Sequence, residues 1–217
     1  MKKVLLAITS ALFFLNASAS NVDKIQFANA GDVSVGIMLG VPPHHRANMP
    51  FVSLDGMIGI KDGFINTKTF GQNGAIDLGA FIGFCHYGES FEDWKWASWE
   101  MPILFRGGFH WEFVKNLDTY AGLQCGVAIC HAMEKDRITD DRYYNTGFAD
   151  GIFGMYLGAK WMFTNAFGVK LEFSSDWMFR YHDPVLDHHN EYIYAGRRFH
   201  YGGVNVPPVS AGVTFNF

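Results

Sequence analysis

A single alternation, repeated along the chain, constrains this sequence more than any motif within it. Over Val209–Phe217 the apolar Val209, Ala211, Val213, Phe215 and Phe217 share one parity, and the small or polar Ser210, Gly212, Thr214 and Asn216 share the other. Period two puts these sets on opposite faces of a β-strand. The same rule holds over Val33–Val41, Phe51–Ile60, Ala75–Tyr87, Ser98–Phe113, Tyr120–Ile129, Phe153–Phe163 and Phe167–Asp176, so eight strands are predicted. Hydrophobic residues make up 49% of the chain and aromatics 17%. Outside the first residues, however, no run is apolar for the roughly 20 positions a membrane helix needs. Distributing apolar side chains by alternation is how a membrane β-barrel carries them.

Each strand has one nearly continuous apolar face. The division is sharpest over Ser98–Phe113, where Trp99, Met101, Ile103, Phe105, Phe109, Trp111 and Phe113 oppose Glu100, Arg106, His110 and Glu112. A water-soluble barrel needs a polar outside, whereas lipid needs the reverse. The predicted fold is therefore an all-β, eight-stranded antiparallel transmembrane barrel over 33–217. Tight turns are expected at Lys115–Leu117 and Thr164–Ala166, and long polar loops after strands three, five and seven. Lys61–Gly74 reads as a polar, Gly-rich connection. Short turns at one end and long loops at the other make the short side periplasmic, and an even strand number returns both termini there.

The chain opens with Lys2 and Lys3, an apolar run from Val4 to Leu15, and Ala17-Ser18-Ala19. These are the charged, hydrophobic and small-residue parts of a secretory signal peptide, assigned to 1–19, with 20–32 a short periplasmic segment. Cleavage after Ala19 leaves 15 Lys and Arg against 21 Asp and Glu, a formal charge of −6. An acidic chain without a basic run is a poor partner for nucleic acid.

These stretches resemble the small eight-stranded outer-membrane β-barrel proteins, OmpA- and OmpX-like and in particular of the Bacteroidota type. The resemblance is carried by LDTYAGL at Leu117–Leu123, LGAKWMFTNAFGVKLEF at Leu157–Phe173 and the terminal GVTFNF. It implies a location in the outer membrane among its lipids. It also implies that the barrel assembly machinery reads Phe215 and Phe217 as the signal of the closing strand. It implies no catalytic site and no cofactor.

By parity the lumen receives Asp55, Asp77, Glu100, Arg106, His110, Glu112, Lys160, Lys170, Glu172 and Asp176. An eight-stranded barrel has just enough interior for side chains to fill, and buried charges are costly unless paired, so a network of ion pairs is expected. An ion or proton pathway is the sharper alternative. Outside the barrel wall, His182, Asp187, His188 and His189 in the last loop are weak metal-ligand candidates, since His and carboxylate bind zinc-like ions, although their spacing matches no closed site. Cys125 is expected to face lipid and Cys85 and Cys130 the lumen, as free thiols. The functional expectation is a non-enzymatic outer-membrane protein acting through its loops, or as an accessory subunit of a larger envelope complex for secretion or uptake. A lipid-modifying enzyme and a narrow channel are the alternatives.

Overall fold

The computed structural model describes residues 27–42, 47–67, 71–90, 94–136, 138–139, 142–179 and 207–217. Eight strands follow one another as β1 (Val33–Gly40), β2 (Phe51–Thr67), β3 (Gly71–Ser90), β4 (Trp94–Val114), β5 (Leu117–Asp136), β6 (Arg142–Met162), β7 (Phe167–Phe179) and β8 (Val209–Asn216). Every sequential pair is antiparallel, and β8 pairs with both β7 and β1, so the sheet closes. The predicted parity is the observed one. Ile37, Leu54, Ile82, Phe105, Leu123, Leu157 and Leu171 are exposed on the outside, while all ten predicted lumen residues are at most 4% exposed.

Two expectations about connections are corrected. Lys61–Gly74 is not a loop: β2 runs on to Thr67 and β3 begins at Gly71, with pairs such as Lys61↔Ile76 and Asn66↔Gln72 interrupted by two register shifts. Gly63 and Gly74 sit at φ of +68° and +81°, a backbone region open to glycine. The connections after the third and fifth strands are likewise mostly strand. The β3–β4 ladder reaches Ser90↔Lys95 and the β5–β6 ladder reaches Lys135↔Arg142. The 21 residues of β4 rise to about 50 Å at ordinary pitch and tilt, twice the apolar belt of about 25 Å. Beyond the belt backbone pairing is still satisfied, but neither face has to be apolar, so the alternation fades where the strands do not.

The turns follow the predicted chemistry. Asn116 adopts φ of +68° in the two-residue link from β4 to β5, a conformation that asparagine tolerates better than most residues. In the β6–β7 turn the Thr164 hydroxyl oxygen accepts from the backbone N–H groups of Ala166 and Phe167 at 3.2 and 3.1 Å.

Residues 1–19, read as a signal peptide, lie outside the described residues. Of the segment preceding β1, residues 27–32 pack across the end of the barrel where β1 starts and β8 ends. Gly31 N–H donates to Gly59 and Gly59 N–H to Asp32, each at 2.8 Å. Phe27 N–H donates to the Glu112 carboxylate at 2.8 Å, and Ala28 packs on Ala75.

Candidate functional site in the barrel interior

Inward-pointing side chains lean along the inner wall because glycines opposite them on neighbouring strands leave room. A Cβ on Gly158 would lie 2.5 Å from the Tyr120 ring, and one on Gly122 would lie 2.6 Å from that of Tyr156. The two tyrosines thus lean over glycines of adjoining strands and pack against each other at 6.0 Å. Around them the charges divide into two linked groups.

In the first group, Glu172 on β7 grips Arg106 on β4 through two contacts, of 2.9 and 3.2 Å. The Tyr120 hydroxyl donates to Glu172 at 3.1 Å. Lys170 contacts Asp55 at 2.7 Å and Glu172 at 3.8 Å. The Arg106 guanidinium is held between the rings of Phe81 and Tyr156, 4.2 and 4.5 Å from their centroids. Fork geometry and cation–π stacking are both arginine properties that lysine does not reproduce.

In the second group, His110 offers Nε2 to Asp77 at 2.6 Å and Nδ1 to Asp118 at 2.9 Å, and Lys160 approaches Asp118 at 3.6 Å. A carboxylate only accepts, so the imidazolium is the form that donates from both ring nitrogens. The His110 ring stacks on Tyr120 at 5.4 Å, which joins the two groups. Asp55, Asp77, Asp118 and Glu172 then balance Arg106, His110, Lys160 and Lys170. Paired and hydrogen-bonded charge of this kind offsets the desolvation that an isolated buried ion would suffer.

The remaining predicted lumen residues lie apart. Glu112 serves the end where β1 starts, where its backbone pairs with the Asn73 side chain through bonds of 2.6 and 3.2 Å. Glu100 is fully buried, with Asp150 and Asp176 among the charges near it. Between Glu100 and the central network, Met38, Phe51, Phe81, Leu104, Ala128 and Ile152, contributed by β1 to β6, form one apolar cluster. The lumen is thus filled by charge pairs at its middle and by hydrocarbon beside them.

Asp118 and Asp150 are site residues that the sequence reading missed. Each keeps the inward parity of its strand, Asp118 with Tyr120 and Asp150 with Gly154, but each falls just before the first residue whose alternation was clear. Extending the parity two or three positions would have found both.

Cys125 is exposed on the outside, and Cys85 and Cys130 are buried; all three are free thiols. Cys85 and Cys130 both register with Glu100, from opposite sides. Two strand spacings, about 9.6 Å, exceed the Cα separation of about 7 Å that a disulfide allows. The metal candidates His182, Asp187, His188 and His189 lie outside the described residues. Phe215 packs its ring on Phe167 at 5.4 Å. Phe217 exchanges backbone hydrogen bonds with Val33 at 2.8 and 3.2 Å, and the residue is 79% exposed.

A closed eight-stranded antiparallel barrel, apolar outside and charged within, has the build of an outer-membrane β-barrel protein, and that is the fold class of this chain. A major outer membrane protein from Thermus thermophilus is similar in fold, with a TM-score of 0.53 at 8% identity over 87% of this chain and 100% of that one. Ail of Yersinia pestis aligns over 87% of this chain and 99% of its own at 9% identity, with a TM-score of 0.43. The N-terminal β-barrel domain of Pseudomonas aeruginosa OprF aligns over 87% and 98% at 14% identity, with a TM-score of 0.36. No protein-family model and no curated protein matches the chain.

Proposed function

We propose that this protein is exported by its leader, inserted into the outer membrane through its terminal Phe215–Phe217 strand, and acts there without enzymatic chemistry. It serves as a rigid scaffold whose loops and projecting ends dock other components of the envelope, as an accessory subunit of a secretion or uptake assembly. The observation that carries this reading is the filled interior. Arg106, His110, Lys160 and Lys170 are taken up by carboxylates, and the adjoining layer is hydrocarbon, so the wall and its ends are the surfaces left to act. Strands that run well past the lipid belt present such surfaces on a stiff support.

Mild cross-linking in native membranes, followed by affinity isolation and mass spectrometry, tests this reading. A stoichiometric set of envelope proteins is the expected result. Large steady conductance in single-channel recording, or an altered lipid profile in a strain lacking the protein, would replace the scaffold by a pore or an enzyme.

A further inference from the structure

Outside the barrel, the lipid-facing wall is uneven where β4 meets β5. Three successive outward pairs, Phe105↔Cys125, Gly107↔Leu123 and Phe109↔Ala121, each set a large side chain against a small one, and the large one changes strand from pair to pair. Phe105 and Leu123 stand out at 57% and 56% exposure. The small residues between them floor an open groove of about 580 Å³ that winds around Leu123. None of its lining residues is charged. Gln124, the one amide among them, turns its side chain inward, where it is buried, and the backbone polar groups of the floor are paired in the β4–β5 ladder. Along β5 the groove starts two residues from Thr119, the partner of Trp111, and ends at Cys125, six residues from it. At ordinary strand rise and barrel tilt these are about 5 and 15 Å of depth, from just inside the level of Trp111 to the middle of the lipid belt.

We propose that this groove holds one acyl chain of a phospholipid from the leaflet on the side of the tight turns. The lining offers hydrocarbon and a thiol, so the chemistry it selects is an alkyl chain, whatever headgroup that chain carries. The groove is continuous with the wall that lipid covers, and it descends as an acyl chain of that leaflet does. Its winding course decides between occupants. A second barrel or a helix would lay a stiff surface across Phe105 and Leu123 and leave the floor empty, whereas a methylene chain can turn at every bond. Inside a bilayer association rests on close packing rather than on expulsion of water, and a gap forfeits its dispersion contacts outright. The β7 wall has no comparable step: Phe167, Val169, Leu171 and Phe173 are all bulky and exposed. The proposal rests on the membrane-inserted barrel and is independent of the envelope-scaffold role.

The full-length mature protein, folded in nanodiscs of phosphatidylcholine that include a small share of the same lipid with a diazirine halfway along one acyl chain, provides the test. Irradiation followed by peptide mass spectrometry maps the adducts. Wild type is expected to carry about fivefold more adduct on Phe105–Phe109 and Ala121–Cys125 than on the Phe167–Phe173 wall. Fivefold corresponds to about 1 kcal/mol, the sum of roughly ten added carbon contacts. Gly107→Leu fills the floor and should bring the two walls level. A Cβ there would lie 3.2 Å from Leu78 Cδ2, a side-chain end that can move aside. Ala121→Leu fills the groove from its other end and serves if the first variant does not fold, as unheated and boiled samples on a detergent gel verify. Both variants keep Cys125, so the reactivity of the thiol cancels in the comparison. Equal adduct on the two walls of wild type, or undiminished adduct in the folded variants, overturns the proposal. So does a pattern that changes when phosphatidylglycerol carries the diazirine in place of phosphatidylcholine. Dimers joined through Cys125 under a mild oxidant, with no lipid adduct in the groove, would give it to a second copy of the chain and overturn the lipid assignment.

Discussion

Glu172→Gln is the substitution that most directly tests whether the lumen network holds the barrel together. Glu172 Oε1 takes one Arg106 nitrogen at 2.9 Å, and Oε2 takes the other at 3.2 Å together with the Tyr120 hydroxyl at 3.1 Å. Glutamine keeps one acceptor oxygen and puts an NH₂ in place of the other. Left in the Oε1 position, that NH₂ faces an Arg106 N–H, donor against donor; flipped, it faces Arg106 and Tyr120 at once. The first orientation removes the charge from the 2.9 Å ion-pair contact, and the second removes the bonds to Arg106 and Tyr120 as well; a hydrogen bond to a charged group is worth about 1.5–3 kcal/mol. The cations Arg106 and Lys170 are then left to share Asp55, in a site where all of these groups are buried. Breaking a buried pair by removing one partner costs about 3–5 kcal/mol, which is the expected loss for E172Q. Urea unfolding of the barrel from lipid vesicles, followed by tryptophan fluorescence, reads that loss as a lower midpoint at unchanged slope. The double variant Arg106→Met/Glu172→Leu should recover most of it, because a volume-matched apolar pair leaves no uncompensated charge. A loss below about 1 kcal/mol for E172Q would mean that water screens the lumen, and a double variant as damaged as the single would mean that the pair itself is a net source of stability; either result refutes the reasoning.

Three further outcomes follow from the same geometry. Gly158→Ala drives a Cβ into the Tyr120 ring and toward the Leu171 carbonyl, and should cost about 1–3 kcal/mol as an overpacking strain, read by the same urea titration. Deleting Phe217 removes its backbone exchange with Val33 at the barrel seam; outer-membrane levels should fall and unfolded chain accumulate in the periplasm, seen by fractionation and immunoblot. A membrane-soluble maleimide should label Cys125 in the folded barrel and reach Cys85 and Cys130 only after unfolding, because the first thiol is exposed outside and the other two are buried within; equal rates, read by intact-mass spectrometry, would reverse the inside and outside faces of β5.

How much was legible in advance differs between the wall and its contents. The wall was readable because period two is a local property and lipid enforces it. Leu123 and Leu157 must be apolar wherever their partners are, so the eight strands, the two faces and the ten inward charges follow from neighbours in the chain. The ends of the strands were not readable. At Lys61–Thr67 and at Cys130–Asp136 the ladder continues in water, where hydrogen bonding is satisfied by the partner strand and no face has to be apolar.

What the sequence determined by itself, then, was which residues turn inward and the antiparallel order that brings the last strand back to the first. Only the tertiary structure decided who meets whom. Arg106 and Glu172 lie 66 residues apart, and Lys170 and Asp55 lie 115 apart. No pattern in the chain pairs them; barrel closure, strand tilt and the glycines over which Tyr120 and Tyr156 lean do. The same holds for Phe27, which finds Glu112 across 85 residues. Alternation along a strand fixes the direction of a side chain, whereas its partner depends on the register of strands that are distant in sequence and adjacent only once the sheet has closed.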